Sequence, residues 1–534
     1  MNSKYFSELL RSAAPADLPP SQRRRAVLRC AAACAASAVL APLMPRKTWA
    51  QPRFGAYPFA LGVASGAPRA DGAVLWARLA PEPLAGGGMP RENVELAWEL
   101  AADEGFRDIV RTGTATATPE LGHSVHVELT RLEPARWYWY RFATGDAVSP
   151  VGRTRTAPAP DTALERLRFA FASCQQYEQG YYAAHRHLAA EDLDLVVFLG
   201  DYIYESSWGR NHVRKHATME PYTLADYRNR HAQYKSDPDL QSSHAAVPWI
   251  VTWDDHEVDN DYADERSEDL DPDFLARRAA AYQAYYEHMP LARRSLPQGP
   301  SAQIYDRYTF GDLLQFHVLD DRQYRSHQAC AKPGRGGSNV VEACAGRLAA
   351  DRTMLGAAQE AWLADGLART RARWNVIAQQ TLLAPLDRKP GPDQSFWTDG
   401  WDGYPAARAR LLDDIARLKP SNPLVIGGDV HCNWVADLKP DFDDPKSPLV
   451  ATEFCGTSIT SQGPSARQLL AWLVENPHLR YGNGQQRGYV KMEIGRNACT
   501  ATLRALDSEK RADSGIYTLA TFVVENGRPG AQRT

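Results

Sequence analysis

The stretch Leu193-Asp-Leu-Val-Val-Phe-Leu-Gly-Asp-Tyr-Ile-Tyr204 joins a short apolar run to a turn that carries a carboxylate and a tyrosine. An apolar run of this length is typical of a strand buried on both faces, as in a parallel sheet. Open α/β sheets bind their ligands beyond the carboxyl ends of such strands. The stretch therefore predicts a strand of an α/β sheet, with Asp201 and Tyr204 as candidate site residues at its end.

Further apolar runs with the same character are separated by segments of helical spacing. The additional predicted strands lie at 167–172, 249–252, 313–319, 374–378 and 424–426. The predicted helices lie at 181–190, 276–288, 357–371 and 406–418. This alternation predicts a layered α/β domain, which we assign to residues 162–525.

Residues 55–157 follow a different pattern. Short runs that alternate apolar and polar residues occur at 73–79, 94–100, 124–129 and 138–142, with Gly, Pro and charged turns between them. Such runs predict an all-β sandwich of the fibronectin or immunoglobulin type. The module contains no cluster of candidate ligands, so we expect it to pack against the catalytic domain.

Residues 1–50 have the features of an export signal. Arg24 and Arg25 lead into an alanine-rich apolar run, and Ala50 offers a small residue for cleavage. This arrangement is typical of a twin-arginine signal peptide. We therefore expect the twin-arginine export machinery as a partner and a periplasmic or secreted mature protein. An ordinary secretory signal and a retained anchor remain alternatives.

Composition excludes other classes of protein. The chain has 61 Lys and Arg against 64 Asp and Glu, a formal charge of −3, which gives no sign of a nucleic-acid surface. After the signal, no apolar run reaches the roughly 20 residues that a membrane-spanning helix needs.

Export also bears on the cysteines. Cys330 and Cys344 flank a glycine-rich loop, and an oxidising compartment favours a disulfide between them. Cys455 and Cys499 could pair as well, an expectation that rests on export alone. Free thiols are the alternative for both pairs.

Three more polar motifs follow predicted strands and carry metal-ligand residues. Asp254 and Asp255 are adjacent, and two carboxylates held close together would force one to protonate unless a cation lies near them. Asp429 and His431 alternate along an extended segment, so both can face one side. Cys174 ends another predicted strand, where a thiolate would favour iron. Together with the first turn, these motifs predict at least two cations that bind a phosphate ester, as in a metallophosphoesterase.

Each motif also has an ordinary structural alternative. A capping aspartate with a core tyrosine, a charged surface turn, a structural histidine or a small buried cysteine would each explain one motif. Because all of these motifs stand at strand ends, the metal site is the better interpretation. Cys174 is the most ambiguous of the candidates.

Several motifs carry a resemblance to a known family. They are Leu61-Gly-Val-Ala-Ser-Gly66, Val74-Leu-Trp76, Phe171-Ala-Ser-Cys174, Gly200-Asp-Tyr-Ile-Tyr-Glu205, Trp253-Asp-Asp-His-Glu-Val258, Leu319-Asp-Asp-Arg-Gln-Tyr-Arg325, Gly428-Asp-Val-His431 and Thr452-Glu-Phe-Cys-Gly-Thr-Ser458. Through them the mature chain resembles, over nearly its whole length, the PhoD-type alkaline phosphatases, which include secreted phosphodiesterases and phospholipase D-like enzymes.

The resemblance implies a metal site similar to that of the purple acid phosphatases, with one Fe(III) ion and two Ca(II) ions. Fe(III) would be surrounded by Cys174, Asp201, Tyr204 and His431. Asp201 would bridge to the second metal side. Calcium, which prefers several oxygen ligands, would be held by Asp255 and Asp429, with Asp254 and Asn260 as further candidates.

The expected activity is hydrolysis of small-molecule phosphate monoesters, and of diesters in addition, by attack of a metal-bound hydroxide. His256 is expected to stabilise or protonate the leaving group, although a structural histidine explains it nearly as well. Arg322 would clamp the phosphate through its planar guanidinium, and a surface salt bridge is the alternative.

Two other functions remain open at this point. The first is a phosphodiesterase or phospholipase D that acts only on diesters. The second is a non-catalytic exported binding protein with a degenerate α/β domain. Such a protein would be expected to lack ligands, and none of the candidate ligands is missing.

Overall fold

The computed structural model describes residues 54–534 as a layered α/β structure. The export signal predicted for residues 1–50 lies outside the described residues. Within residues 54–534, no helix combines the length and the apolar character that crossing a membrane requires.

The N-terminal part is all β, as its alternating pattern predicts. Its strands are β1 (Val63–Arg69), β2 (Gly72–Arg78), β3 (Val94–Ala101), β4 (Ile109–Ala117), β5 (Ser124–Glu128), β6 (Trp137–Thr144), β7 (Ala147–Val148) and β8 (Gly152–Arg155). β4, β3, β6 and β7 lie side by side, and β8 pairs with β6. This sheet packs on β2 and β5 around Leu75, Leu96 and Tyr140, which are buried. The result is a β-sandwich.

The rest of the chain first alternates strands and helices and then ends in strands. Its elements are β9 (Arg166–Ala172), α1 (Ala183–Ala190), β10 (Leu195–Phe198), α2 (Leu224–Lys235), α3 (Pro238–Ala246), β11 (Trp249–Val251), α4 (Phe274–His288), β12 (Asp306–Phe310), β13 (Leu314–Val318), β14 (Val340–Val341), α5 (Gly356–Arg369), β15 (Trp374–Ala378), β16 (Phe396–Trp397), α6 (Pro405–Leu418), β17 (Pro423–Gly427), β18 (Asn433–Leu438), β19 (Ala451–Cys455), α7 (Ala466–Glu475), β20 (Leu479–Asn483), β21 (Gly488–Gly495), β22 (Ala498–Leu506), β23 (Ile516–Glu525) and β24 (Arg528–Arg533). The predicted strands and helices are confirmed within two residues at each end.

Two large sheets organise these elements. The first runs β24-β23-β22-β21-β9-β10-β11-β1-β2-β5, and the second runs β12-β13-β15-β17-β19-β18-β20. β9, β10 and β11 are parallel neighbours in the first sheet, and β13, β15, β17 and β19 are parallel neighbours in the second. Each sheet therefore presents a row of strand carboxyl ends, and the candidate ligands follow strands of both rows.

Hydrophobic packing joins the layers. Side chains of both sheets form one buried cluster, in which the rings of Phe169 and Phe316 lie 5.0 Å apart. Helices α1 to α4 cover the outer face of the first sheet through residues such as Tyr182 and Tyr282. Helices α5, α6 and α7 cover the outer face of the second sheet. The order of layers is therefore helices, sheet, sheet, helices.

The β-sandwich joins the first sheet directly. β1 pairs in parallel with β11 at Gly66 and Trp249. A Cβ atom at Gly66 would lie 2.5 Å from the Pro290 carbonyl oxygen, so only glycine permits this close approach. The module thus extends the sheet of the α/β part, a closer connection than the packing contact that the sequence predicts.

The cysteines follow the prediction in one case and not in the other. Cys330 and Cys344 form a disulfide. Cys455 and Cys499 are both buried free thiols, so the pairing considered for them is wrong. Cys499 lies in the cluster between the sheets and Cys455 in the cluster under α5, α6 and α7. The second sheet separates these two clusters.

Candidate metal centre

The candidate ligands meet where strands of the two sheets end. Cys174 follows β9, Asp201 and Tyr204 follow β10, and Asp254 to His256 follow β11. Asp429 and His431 follow β17 of the facing sheet. The centre is therefore assembled across the interface between the two sheets.

The backbone of this centre is strained. Four of the candidate ligands have left-handed φ values, namely Cys174 (59°), Asp201 (56°), Asp429 (62°) and His431 (54°). Residues other than glycine adopt this conformation at a cost of about 1–3 kcal/mol each. Such strain collects at functional sites, because the surrounding structure must hold each side chain in one direction.

Glycines let the loops approach one another. A Cβ atom at Gly200 would lie 2.5 Å from Cβ of Asp254, and one at Gly428 would lie 2.2 Å from Oγ of Ser173. Glu257 then ties the loops after β10 and β11 together, because its carboxylate accepts hydrogen bonds from the N–H groups of Asp201 (3.1 Å) and Asp254 (2.8 Å). These contacts fix the spacing of the candidate ligands.

We call Cys174, Asp201, Tyr204 and His431 the tyrosine side of the centre. The Tyr204 hydroxyl donates to Asp201 Oδ2 (2.7 Å) and lies 3.2 Å from His431 Nε2. Ligand atoms of Cys174, Asp201 and His431 all lie within 4.8 Å of one another. His431 Nδ1 donates to the Gln462 carbonyl (2.8 Å), so Nε2 is the nitrogen that can bind a metal.

Burial shapes the protonation of this side. It raises the pKa values of Cys174, Tyr204 and Asp201 well above their ordinary values, and neighbouring charges add to the effect on the thiol and the phenol. It lowers the pKa of His431 to about 3, which keeps the imidazole neutral. An anionic thiol, phenol and carboxylate can coexist here only with a bound cation.

The other candidate carboxylates complete the centre around Asp201. This residue also belongs to two further groups, one with Asp254 and Asp429 and one with Asp255 and His256, and the ligand atoms of each group lie within 4.8 Å of one another. In the described part of the chain, one oxygen each of Asp201, Asp254, Asp255 and Asp429 is buried without a hydrogen-bond partner. Unpaired buried carboxylate oxygens are costly, and metal ions would satisfy them, so this donor set fits cations.

We call Asp254, Asp255, Asp399 and Arg322 the arginine side. Arg322 is fully buried, donates from Nε to Asp254 Oδ1, and lies 2.8 Å from Asp399 and 3.4 Å from Asp255. Burial raises the pKa of Asp254 to about 6. Burial also acts to raise the pKa of Asp255, but the charges of Arg322 and His256 and hydrogen bonds from backbone N–H groups together outweigh it and lower the pKa. The phosphate clamp remains a prediction for Arg322, one that these contacts do not favour.

His256 forms a pair that the sequence did not reveal. Its Nδ1 lies 2.7 Å from Glu205 Oε2, which orients the ring and leaves Nε2 free. Burial acts against the protonated ring, yet the charges of Glu205 and Asp255 raise the pKa of His256 well above its ordinary value. A charged imidazole is suited to donating a proton.

Other residues of the region were missed or are placed differently. Asn260 Nδ2 donates to Glu268 (2.9 Å), and this contact neither supports nor excludes a ligand role for its carbonyl oxygen. Asp399 and Asp261 form a further carboxylate group with Asp255. Asp399 had no signal in the sequence. Asp261, Glu205 and Glu257 stand next to the candidate residues Asn260, Tyr204 and His256 and could have been found there.

Comparison with known proteins agrees with this geometry. The PhoD-like phosphatase family matches residues 169–503, and the N-terminal domain of PhoD-like phosphatases matches residues 45–158. The chain is 48% identical over 497 residues to alkaline phosphatase D of Bacillus subtilis (strain 168), which covers 91% of this chain and 84% of that protein. A solved structure of PhoD is similar with a TM-score of 0.87 and 47% identity, covering 90% of this chain and 93% of that one. The chain belongs to the PhoD-like phosphatase family.

Proposed function

We propose that the protein is a metal-dependent alkaline phosphatase that hydrolyses small phosphate monoesters. The observation that carries this proposal is the buried carboxylate of Asp201. It belongs to three groups of candidate ligands and keeps one oxygen without a hydrogen-bond partner. A carboxylate in this position is suited to bridging two cations. A pair of bridged cations is the arrangement that hydrolyses phosphate esters in two-metal enzymes.

We propose Fe(III) for the tyrosine side, because thiolate, phenolate and imidazole donors suit iron better than they suit calcium or magnesium. Asp254, Asp255 and Asp429 offer only oxygen donors, which suit Ca(II), and we propose two calcium ions there. When bound, these cations would neutralise phosphoryl oxygens and lower the pKa of a coordinated water toward ~7.

The residues of the chain have separate tasks in this proposal. His256 donates a proton to the leaving group through Nε2, while Glu205 holds the ring through Nδ1. Arg322 keeps Asp254 and Asp255 in place. Ser461 donates to the Tyr204 hydroxyl (2.8 Å) and so directs the phenol toward Asp201.

We also propose that residues 1–50 direct export through the twin-arginine machinery, and that 55–157 and 162–525 are the two domains of the mature protein. Export would take a folded, metal-loaded enzyme to the periplasm or beyond. The disulfide between Cys330 and Cys344 supports an oxidising compartment.

The test combines metal analysis with turnover. The exported protein should contain about one iron per chain, absorb visible light through a phenolate-to-iron band, and hydrolyse p-nitrophenyl phosphate when calcium is added. Turnover of bis-p-nitrophenyl phosphate alone would instead assign a phosphodiesterase. A folded protein without metal or activity would contradict the catalytic proposal.

A further inference from the structure

Arg388 lies on the segment between β15 and β16, eleven residues before Asp399 of the arginine side. Its backbone is held from two directions. The Arg388 N–H donates to the Ser395 carbonyl (2.9 Å), and its own carbonyl accepts from Trp472 Nε1 (3.1 Å). The preceding Asp387 N–H donates to Asn476 at the end of α7 (2.9 Å). The position of Arg388 is therefore fixed relative to the second sheet and α7.

Two tryptophans flank the guanidinium. Arg388 Cζ lies 5.1 Å from the centre of the Trp397 ring and 5.2 Å from that of Trp472. Trp397 Nε1 donates to Ser338 Oγ (2.9 Å), and Ser338 belongs to the loop that the Cys330–Cys344 disulfide closes. Stacked aromatic rings hold a guanidinium in one orientation and remove part of its hydration.

Within residues 54–534, the guanidinium of Arg388 has no anionic partner. Among the described residues it forms no ion pair and donates no hydrogen bond, and its Nε is buried without an acceptor. Arg322 and Arg325 both contact the carboxylate of Asp399. A buried donor without an acceptor is costly, so the guanidinium of Arg388 is suited to an anion from outside the chain.

Trp397 stands two residues before Asp399 of the arginine side, and its partner Ser338 donates from its N–H group to Asp261 Oδ2 (3.1 Å). Through Trp397, Arg388 therefore lies near the arginine side of the centre. Burial lowers its pKa, while the charges of Asp402, Cys432 and Asp429 act in the opposite direction. Asp402 is already paired with Arg408 (2.6 Å). Asp429 belongs to the candidate centre, and the position of Trp397 beside Asp399 relates Arg388 to the same centre.

We propose that Arg388, held between Trp397 and Trp472, binds an oxyanion of the phosphate ester that reaches the centre. This inference rests on the proposed function and deepens it, because it assigns to Arg388 the substrate contact that the sequence had predicted for Arg322. The oxyanion belongs either to the phosphoryl group that reacts or to a second acidic group of the same ester. Planar guanidinium groups recognise both through paired N–H donors.

The experiment compares Arg388→Gln and Arg388→Lys with the wild-type holoenzyme. Arg347→Gln is the matched control, because Arg347 also stacks on an aromatic ring, Phe396 (4.1 Å), but donates to the Asp402 carbonyl. KM for p-nitrophenyl phosphate and Ki for inorganic phosphate are measured, with calorimetric titration of phosphate as a readout independent of turnover. A sugar bisphosphate serves as the second substrate.

Loss of one charged hydrogen-bonding group should raise KM and Ki about tenfold to 100-fold in Arg388→Gln. Arg388→Lys should give a smaller increase, and Arg347→Gln should not change either constant. If KM rises for both substrates, Arg388 binds the phosphoryl group that reacts. If KM rises for the bisphosphate alone, Arg388 binds a second acidic group of the ester. If Arg388→Gln does not fold, Arg388→Lys carries the comparison.

If the wild-type enzyme is active and the Arg388 variants keep its KM, Ki and calorimetric affinity, the inference about Arg388 is overturned. The proposed function then still stands. A wild-type holoenzyme that neither binds phosphate nor hydrolyses esters would overturn the proposed function instead.

Discussion

The two sides of the candidate centre balance their charge in different ways. On the arginine side, Asp254, Asp255 and Asp399 surround the guanidinium of Arg322. On the tyrosine side, neither Lys nor Arg in the described chain forms an ion pair with Asp201, and the imidazole of His431, 4.0 Å away, is neutral. The fold therefore supplies a guanidinium counter-charge to the arginine side, whereas the tyrosine side has no Lys or Arg partner among the described residues.

The same contrast appears in the pKa values. Burial raises the pKa of Asp201 well above its ordinary value, whereas Arg322 helps to lower that of Asp255 despite burial. A carboxylate that already has a counter-charge can hold a metal with little rearrangement. A carboxylate without one must gain its charge balance when the metal binds. We expect metal loss and mutation to act differently on the two sides.

The largest effect is expected from removing the shared carboxylate. Asp201→Asn should lower kcat/KM roughly 10³-fold or more and should release iron and calcium together, since one residue serves both sides. Elemental analysis and p-nitrophenyl phosphate turnover would measure this. Asp264→Asn is the control, because Asp264 also has a positive φ (51°) but is 45% exposed. A variant that loses iron and keeps calcium would show that Asp201 does not bridge.

On the arginine side, Arg322→Gln leaves buried carboxylates without their counter-charge. Its free energy of unfolding, from urea denaturation, should fall by about 3–5 kcal/mol. Arg335→Gln, which removes exposed ion pairs with Glu268 and Asp269, should cost less than about 1 kcal/mol.

Adding Asp254→Asn to Arg322→Gln should recover part of the lost stability, because it removes one of the uncompensated charges, whereas Asp399 keeps Arg325 as a counter-charge (2.9 Å). Added calcium should also stabilise Arg322→Gln more than it stabilises the wild type. A loss of stability no larger than that of Arg335→Gln would contradict the charge balance described here.

Removing iron with an iron-selective chelator, while calcium is kept in excess, tests the tyrosine side. Chelation should leave the wild-type protein folded. It should lower the free energy of unfolding by about 2.7 kcal/mol for a site at which the free metal concentration was 100 times the Kd. Thermal unfolding followed by circular dichroism would measure the change, and adding iron back should reverse it. The same Tm with and without chelator would mean that iron does not contribute to the charge balance of this side.

The smallest effect is expected at the pair of Glu205 and His256. Glu205→Gln should lower kcat about tenfold for esters with alkyl leaving groups. This is part of the roughly 10²–10⁴-fold rate increase that general acid catalysis supplies. For p-nitrophenyl phosphate the loss should be smaller, since that leaving group needs no proton. Glu178→Gln, at another buried glutamate near a histidine (His216, 3.6 Å), should show no such dependence. Equal losses for both kinds of ester would assign Glu205 a purely structural role.

The regular part of the fold followed from local patterns, and its exceptions have identifiable causes. β15 was predicted within its bounds because four of its five residues are apolar. α2 was missed because its buried positions include Arg230, His231 and Lys235, so it shows little apolar periodicity. The continuity of β1 with β11 was missed because a single close contact at Gly66 leaves no pattern along the chain.

The residues of the candidate site also divide into those that a local sequence pattern reveals and those that it does not. Asp201, Asp255 and Asp429 could be found because each follows an apolar strand directly. Asp399 could not be found, since its importance comes only from contact with Arg322, which is distant in sequence.

The sequence by itself determined the types of elements, the inventory of candidate ligands and the resemblance to a family, because these depend on short-range patterns of residues. Only the tertiary structure decided that the edges of two sheets meet at Asp201. It also decided that carboxylates surround Arg322, and that the guanidinium of Arg388 has no partner among the described residues. The physical reason is that charge balance depends on burial and on distances between atoms, and both arise only when separate strands pack together.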